Sequence, residues 1–152
     1  MSTLEKSIIV NVPARVAYNQ WTQFEEFPYF MEGVVAVTQL DDRRLHWRTN
    51  VGGKEKEFDA EITEQVPDHR IAWKSVSGPR HAGVVTFHRL DENRSKLMLQ
   101  MEVEPDGVVE KVGDWIGVVS SRVTSDLEKF KTFIESRQKE TGAWRGEVNP
   151  RS

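Results

Sequence analysis

The sequence predicts an α+β domain in which a curved antiparallel sheet of seven strands packs against one long C-terminal helix. Three observations indicate this class. The chain opens with an apolar strand pattern and two short helical patterns, and residues 33–104 then alternate polar and apolar side chains. Residues 112–134 repeat apolar side chains every three or four positions, as a helix does. The 152 residues include no cysteine, yet suffice to bury one hydrophobic core.

The opening elements are a strand and two short helices. Leu4 to Val10 is rich in apolar and β-branched residues, which is typical of a strand. Asn11 and Pro13 then form a helix-start signal. The one-sided apolar stripe that follows is interrupted at Pro28, which predicts two short helices with a break between them.

Six further strands are expected in the central region. Their sequences are VVAVTQL, RLHWRTNV, EFDAEIT, RIAWKSV, GVVTFHRL and KLMLQMEV. The turns between them are predicted at Asp41-Asp42, Gly52-Gly53, Pro67-Asp68, Gly78-Pro79 and Asp91-Glu92-Asn93. Because side chains of a strand alternate between its two faces, one sheet face is expected to be apolar and the other polar.

A long amphipathic helix is predicted after Pro105-Asp106-Gly107. Its apolar stripe consists of Val112, Ile116, Val119, Val123, Leu127, Phe130 and Ile134. The stripe runs for about six turns, or roughly 30 Å, and the apolar face of the sheet is expected to receive it. Residues 1–140 are therefore assigned to one domain, and residues 141–152, which lose the periodicity, to a loosely ordered C-terminal tail.

This order of elements is that of the helix-grip fold, which START-like lipid carriers share with birch-pollen-allergen-like proteins. The run FEEFPYFMEGVVAVTQLDDRRLHWRTNVGGKEKEFDAEITEQVPDHRIAWKSVSGPRHAGVVTFHRL and the closing SDLEKFKTFIE resemble the polyketide cyclase/dehydrase branch of this superfamily, also called SRPBCC. The resemblance covers Leu4 to about Glu140. It implies a cavity between the long helix and the sheet for lipids, polyketides, quinones or sterols, and it implies no shared catalytic set.

Composition excludes several classes of partner. Lys and Arg number 21 against 24 Asp and Glu, so the net charge of -3 provides no attraction for nucleic acid. No apolar run reaches the roughly 18–20 residues that cross a bilayer, and no signal peptide is recognised, so we expect a cytoplasmic protein. The four histidines, His46, His69, His81 and His88, lack metal-ligand spacing, and neither a metal nor a cofactor is expected.

Three catalytic or nucleotide-binding motifs are rejected. DGVVEKVGDWIG lacks the glycine spacing and strand placement of a dinucleotide loop. Ser120-Ser121 lies inside a predicted helix, which is wrong for a nucleophile elbow. The paired glutamates 55/57 and 102/104 lie on the polar face and are interpreted as solvated charge. Gly113 and Gly117 share one side of the helix, where they indicate a notch for a ligand, close helix–sheet packing or fraying of the first turns.

The candidate ligand site combines large apolar side chains with a few polar ones. Thr49 and Arg122 are candidate anchors for a ligand carbonyl or carboxylate, and His81 is a candidate for the cavity mouth. The alternatives without a ligand-binding role are hydrophobic core packing for the aromatic residues, a surface salt bridge for Arg122 and a position in a solvated turn for His81. The full set is Trp21, Trp47, Thr49, Phe58, Trp73, His81, Val85, Phe87, Leu99, Met101, Ile116, Gly117, Val119, Arg122 and Val123.

The function predicted from these observations is binding of a small hydrophobic or amphipathic molecule in an internal cavity. The first alternative is an enzyme of the polyketide cyclase or dehydratase type, in which His81, Thr49 or Arg122 would move protons. The second is an interaction module with a closed core, which would act through its surface or through the tail that carries Trp144.

Overall fold

The computed structural model describes residues 2–51, 53–78, 80–103 and 112–148. It confirms the predicted class and order of elements. The helices are α1 (Ala14–Trp21), a 3₁₀ helix (Phe24–Tyr29) and α2 (Val112–Arg137). The strands are β1 (Ser2–Val10), β2 (Val34–Gln39), β3 (Arg44–Val51), β4 (Lys54–Val66), β5 (Arg70–Ser75), β6 (His81–Asp91) and β7 (Arg94–Val103).

The seven strands form one antiparallel sheet in the order β1-β7-β6-β5-β4-β3-β2. Strands β2 to β7 follow each other as a meander, and β1 adds to the far edge by pairing Ser2 with Val103 and Val10 with Ser95. The register shifts in β2, near Ile62 in β4 and near Arg89 in β6. Such irregularities bend a strand, and the sheet is curled into a half-barrel with a concave face.

The predicted turns between strands lie where the chain reverses. Asp68 has φ 66° and Gly53 has φ 82°, so both use the left-handed region that Asp tolerates and Gly favours. Gly78 also has positive φ, and a Cβ atom there would lie 2.8 Å from the Cβ atom of Phe58. Gly52, Pro79 and the turn predicted at 105–107 lie outside the described residues.

Helix α1 begins directly after Pro13, as the sequence predicts. Its last six residues, 16–21, are all buried, although the sequence pattern predicted a one-sided stripe. The reason is that the helix lies between two layers. Trp21 faces α2, where its ring centroid is 5.1 Å from that of Phe130, while Asn19 and Gln20 bond to the chain after α2.

Helix α2 packs across the open side of the sheet, and the part of its predicted stripe from Leu127 to Ile134 faces inward. Leu127, Phe130 and Ile134 are at most 3% exposed. Two polar contacts join the helix to the end of β1: Lys131 Nζ donates to the Ile9 carbonyl at 2.8 Å, and Glu135 accepts the Asn11 backbone N–H at 2.7 Å. Within the described residues, no helix has the length and apolar content needed to cross a bilayer.

Residues 141–148, the described part of the segment assigned to the tail, contact α1 and β4. Thr141 donates its backbone N–H to Gln20 at 2.8 Å, and Trp144 donates to Thr22 at 3.0 Å. Val148 is 3% exposed and pairs with Gln65 as an isolated β-bridge. The segment lacks periodicity because single residues bind buried polar groups of α1 and β4, and such contacts leave no repeating sequence pattern.

Candidate functional site

A pocket of about 190 Å³ lies between the concave face of the sheet and α2. Its lining is largely aromatic and aliphatic, and it draws on both helical layers as well as on the strands. The lining residues are Trp21, Phe24, Phe27, Met31, Val34, Leu45, Trp47, Thr49, Phe58, Ala60, Ile62, Ile71, Trp73, His81, Leu99, Met101, Val123, Asp126 and Leu127.

Strand register brings the sheet side of the pocket together. Trp47 lies opposite Phe58, and Ile62 lies opposite Trp73. Directly opposed residues in antiparallel strands project from the same face, so these pairs form a continuous apolar surface. Trp73 in turn lies opposite Gly83, where an added Cβ atom would come within 2.7 Å of the indole ring. The absence of a side chain at Gly83 therefore leaves room for the Trp73 ring.

Aromatic contacts hold the rings of the pocket in place. Trp47 stacks on Phe58 with ring centroids 6.1 Å apart and an interplanar angle of 11°. The His81 ring contacts the same Phe58 ring edge-on, with ring centroids 4.6 Å apart. Phe27 contacts both Trp47 at 5.7 Å and Trp21 at 5.4 Å, which connects the 3₁₀ helix to the sheet and to α1.

Helix α2 supports one end of the pocket and lines the other. Phe130 packs on Phe30 with centroids 5.2 Å apart, and Phe133 packs on the same ring at 5.1 Å. These contacts fill the space beneath the C-terminal half of the helix. One to two turns earlier, Val123 and Leu127 instead line the pocket, because a straight helix cannot follow the curled sheet along its whole length.

Asp126 is the carboxylate of the pocket, and it is only 9% exposed. Its Oδ1 accepts the backbone N–H of Glu32 at 3.2 Å. Burial raises the pKa of Asp126 to about 6, against the lowering influence of Arg122 and Lys129. Both cations form ion pairs with Glu32, so they lie close to Asp126 while bonding to another residue. Asp126 can therefore gain or lose a proton near neutral pH.

Trp47 contributes a second unusual polar group. Its indole Nε1 is buried and has no hydrogen-bond partner within the described part of the chain. A buried N–H group without an acceptor costs on the order of 1–3 kcal/mol, and most such groups in proteins are paired. Trp47 thus carries a buried donor that no described protein group satisfies.

Most of the candidate site residues lie together in the pocket. Those that line it are Trp21, Trp47, Thr49, Phe58, Trp73, His81, Leu99, Met101 and Val123. The Ile116 side chain lies outside the described part of the structure.

The remaining candidates do not line this pocket, and the reasons differ. Val85 and Phe87 belong to the core beside α1, where Phe87 meets Tyr18 edge-on at 5.4 Å. Gly117 is exposed, and a Cβ atom there would meet nothing within 4 Å, so close helix–sheet packing does not explain it. Arg122 donates to Glu32 at 2.7 Å, which is the surface pairing considered as its alternative. Val119 is half-buried on α2 but is not a lining residue.

Sequence reasoning missed several lining residues. Four precede β3, namely Phe24, Phe27, Met31 and Val34. Leu45, Ala60, Ile62 and Ile71 had the correct strand parity but were not assigned to the site. Asp126 follows Val123, a residue of the predicted stripe, by three residues and therefore shares its helix face. That spacing was the signal that could have identified it.

The other titratable clusters lie outside the pocket. His46 bonds to Asp59 at 2.6 Å and to Glu57 at 3.1 Å on the polar face of the sheet. His69 and His88 are exposed. Among the residues that the structure describes, no group of three or more His, Asp or Glu side chains could hold a metal ion.

The fold and the chain resemble known proteins. An uncharacterized 17.2 kDa protein of Streptomyces lincolnensis is 59% identical over 149 residues, which cover 97% of this chain and 99% of that protein. The crystal structure of an aromatase/cyclase from Streptomyces sp. R1128 superimposes with a TM-score of 0.79 at 14% identity, covering 94% of this chain and 99% of that one. A START superfamily protein from Mycobacterium smegmatis has a TM-score of 0.74 at 13% identity, with coverages of 87% and 98%. At these identities the two structures show the fold alone.

The family comparison covers most of the domain. The model of the family described as polyketide cyclase / dehydrase and lipid transport matches residues 10–132, from the end of β1 into α2. This range includes the pocket-lining residues of the helices and the sheet. The chain therefore belongs to the polyketide cyclase/dehydrase and lipid transport family, and its fold is the START-like helix-grip fold.

Proposed function

We propose that this protein binds a small hydrophobic molecule in the pocket between the sheet and α2. The observation that carries the proposal is the pocket itself, about 190 Å³ of space with a lining dominated by aromatic and aliphatic side chains. A closed-core interaction module would fill this space with its own side chains. Burial of about 250 Å² of apolar ligand surface contributes roughly 6 kcal/mol. This corresponds to a dissociation constant of about 40 µM, and the cost of ordering the ligand weakens binding from there toward the millimolar range.

The test is calorimetric titration with indane, a neutral two-ring hydrocarbon. Ala60 is 1% exposed and lines the pocket, so Ala60→Leu places a branched side chain in the ligand space. We expect the wild-type protein to bind indane and Ala60→Leu to lose that binding. The matched control is Ala72→Leu, because Ala72 lies between the lining residues Ile71 and Trp73 and projects from the opposite face.

Each possible outcome of this titration leads to a different conclusion about the pocket. Circular dichroism and thermal denaturation verify that each variant is folded. Binding that is lost only in Ala60→Leu supports the pocket as the site. The proposal fails if the wild-type protein takes up no indane, or if Ala60→Leu binds it as well as the wild type does.

One observation favours a second function, catalysis of a cyclisation or dehydration. Asp126 lines the pocket with a pKa of about 6, a value suited to proton transfer near neutral pH. His81 is a second titratable side chain in the lining. Among the polar residues proposed from the sequence for this role, Thr49 also lines the pocket, whereas Arg122 does not.

The enzyme proposal is tested by turnover of an aromatic polyketide precursor across a range of pH. We expect a rate that changes with a midpoint near pH 6 and that is lost in Asp126→Asn. Indane binding by the same variant shows whether the pocket survives. If the rate is zero at every pH while the protein still binds indane, the proposal of catalysis fails and ligand binding remains the proposed function.

A further inference from the structure

Asp126 lies between two cations of its own helix. Arg122 precedes it by four residues and Lys129 follows it by three, and side chains at these spacings share one face of a helix. The charges of Arg122 and Lys129 both lower the pKa of Asp126, so both act on its carboxyl group. The helix by itself therefore predicts an ion pair between Asp126 and one of these neighbours.

The structure pairs both cations with Glu32 instead. Arg122 Nη1 donates to Glu32 Oε2 at 2.7 Å, and Lys129 Nζ contacts the other carboxylate oxygen, Oε1. Within the described residues, the ion pairs of Arg122 and Lys129 go to Glu32 alone. The bonds from Lys129 and Arg122 lower the pKa of Glu32, so Glu32 is ionised over the pH range in which Asp126 titrates.

The chain around Glu32 holds it beside α2. The preceding Met31 lines the pocket, and Phe30 is 2% exposed, with its ring centroid 5.2 Å from that of Phe130. The backbone N–H of Glu32 donates to Asp126 Oδ1 at 3.2 Å. Because these contacts fix the backbone at residues 30–32, the Glu32 carboxylate is presented to the cations of α2 from a defined position.

Several groups determine how tightly Asp126 holds its proton. Burial is the largest influence and raises the pKa of Asp126, and the negative charge of Glu32 also raises it. Arg122, the Glu32 backbone N–H and Lys129 lower it. From the sheet, His81 lines the same pocket. The proton of Asp126 is therefore retained by burial and by Glu32, and the two cations oppose its retention.

We propose that Glu32 is a positioning residue of the pocket, which keeps the Asp126 carboxyl group free to exchange a proton by holding Arg122 and Lys129 in ion pairs of its own. The inference rests on the catalytic function proposed for Asp126 and deepens it. Without Glu32, the released cations turn toward Asp126, which lies at pairing distance from both along α2. Asp126 then holds its proton less tightly, and a smaller fraction of the protein carries that proton near neutral pH.

The experiment measures the pKa of Asp126 in the ligand-free protein by NMR titration of its carboxyl carbon, and Asp126→Asn assigns the signal. Glu32→Gln should lower this pKa by about 1, because an adjacent opposite charge lowers the pKa of a carboxyl group by about that much or more. The protonated fraction at neutral pH then falls about tenfold. Glu128→Gln is the matched control, since it removes one exposed glutamate from α2 and should change the pKa of Asp126 far less.

A second set of variants tests whether Glu32 acts through the two cations. Glu32→Gln is repeated in a protein that also carries Arg122→Gln and Lys129→Gln, where neither cation is present to approach Asp126. We expect the fall in the pKa of Asp126 to shrink to less than about half of its size in the wild-type background. The side chains of Glu32, Arg122 and Lys129 are 60%, 33% and 39% exposed, so the variants should fold, and circular dichroism verifies this.

Three results would overturn the inference. The first is an unchanged pKa of Asp126 in Glu32→Gln. The second is an equal change in the control Glu128→Gln, which would indicate a general effect of net charge. The third is a fall of the same size with and without the two cations, because Glu32 would then act on Asp126 by direct repulsion alone.

Turnover of the polyketide precursor separates this inference from the proposed catalysis. If the rate has a midpoint near the Asp126 pKa of about 6 and Glu32→Gln leaves that midpoint in place, the inference fails while catalysis stands. If no turnover occurs but the pKa of Asp126 responds to Glu32 and to the cations as expected, catalysis fails while the role of Glu32 stands.

Discussion

The side-chain amide of Gln65 donates a hydrogen bond of 3.0 Å to the hydroxyl oxygen of Tyr18, and neither residue is more than 1% exposed. The bond joins β4 to α1 beneath the segment that follows α2. Burial raises the pKa of Tyr18, although the bond from Gln65 and the charge of Arg145 oppose the rise. Tyr18 is thus a neutral hydrogen-bond acceptor in the core.

Removing this acceptor tests its contribution to stability. Tyr18→Phe should lower the free energy of unfolding by about 1–3 kcal/mol, because the Gln65 amide stays buried without its partner. Chemical denaturation measures the change. The double variant Tyr18→Phe with Gln65→Leu should cost less than the sum of the two single variants, since neither polar group remains. Additive costs would contradict the coupling.

Asp126 should make stability depend on pH. Its pKa of about 6 in the fold exceeds the 3.8 of an ordinary Asp, so the folded protein binds the proton more tightly than the unfolded chain does. The stabilisation from this proton is fully present below about pH 4 and is lost as pH rises through 6.

Asp126→Asn removes that dependence. From pH 4 to pH 7 the variant should gain stability relative to the wild type by an amount on the order of 2–3 kcal/mol. Denaturation curves at several pH values measure the gain. Glu128→Gln serves as the control, because Glu128 is exposed on the same helix. The free energy of unfolding of this variant should differ from that of the wild type by a nearly constant amount across this pH range. If the difference in unfolding free energy between Asp126→Asn and the wild type were also independent of pH, the raised pKa of Asp126 would be refuted.

His46 should give stability a second pH dependence of the same sign as that of Asp126. Hydrogen bonds to Asp59 at 2.6 Å and Glu57 at 3.1 Å raise the pKa of His46. Because the folded pKa is raised, the stabilisation is fully present below the ordinary pKa of 6.5 and is lost as pH rises through the folded value.

The variant His46→Gln tests this contribution. At pH 5.5 it should be less stable than the wild type by no more than about 1 kcal/mol, since all three side chains are more than a third exposed. The difference should shrink at high pH and in about 1 M salt. A proton NMR titration of His46 measures the pKa directly, and a value at or below 6.5 would contradict the ion-pair explanation.

Two glycine-to-alanine substitutions should have opposite signs. A Cβ atom at Gly83 would lie 2.7 Å from Cζ2 of Trp73, so Gly83→Ala should move the ring into the pocket, weaken indane binding and destabilise the fold by about 1–3 kcal/mol. At Gly117 a Cβ atom would meet nothing within 4 Å, and Gly117→Ala should stabilise the helix by up to about 1 kcal/mol. Thermal denaturation and calorimetry measure both effects, and equal signs would be inconsistent with the packing described.

The segment 141–148 should contribute to stability. Ending the chain at Glu140 removes the partners of Gln20 and Thr22 and the Val148 pairing with Gln65. We expect a loss of more than about 2 kcal/mol in the free energy of unfolding, because these groups are buried. Glu147→Ala, at an exposed position of the same segment, should leave stability unchanged. A truncated chain as stable as the full one would show that the segment is not needed.

The periodic parts of the chain were predictable from local sequence. The two-residue alternation of apolar and polar side chains placed Trp47, Phe58 and Trp73 on one face of the sheet. The helical stripe through Val123 and Leu127 predicted the inward side of α2. These patterns are visible because burial against one face repeats with the geometry of the element itself. The two short helices were predicted correctly, but their break was placed wrongly at Pro28. Helix α1 ends at Trp21, and Pro28 lies inside the 3₁₀ helix Phe24–Tyr29.

Where the pocket lies was decided only by the tertiary structure. Phe87 and Trp73 have equivalent strand parity, but α1 covers Phe87, whereas a gap remains above Trp73. Likewise, the sequence could not reveal that Asp126 would be buried next to ion pairs directed at Glu32, or that residues 141–148 would cover α1. Periodicity reports which side of an element is apolar, and it carries no information on the distance to the element opposite. That distance depends on the curl of the sheet and on contacts between residues far apart in the chain.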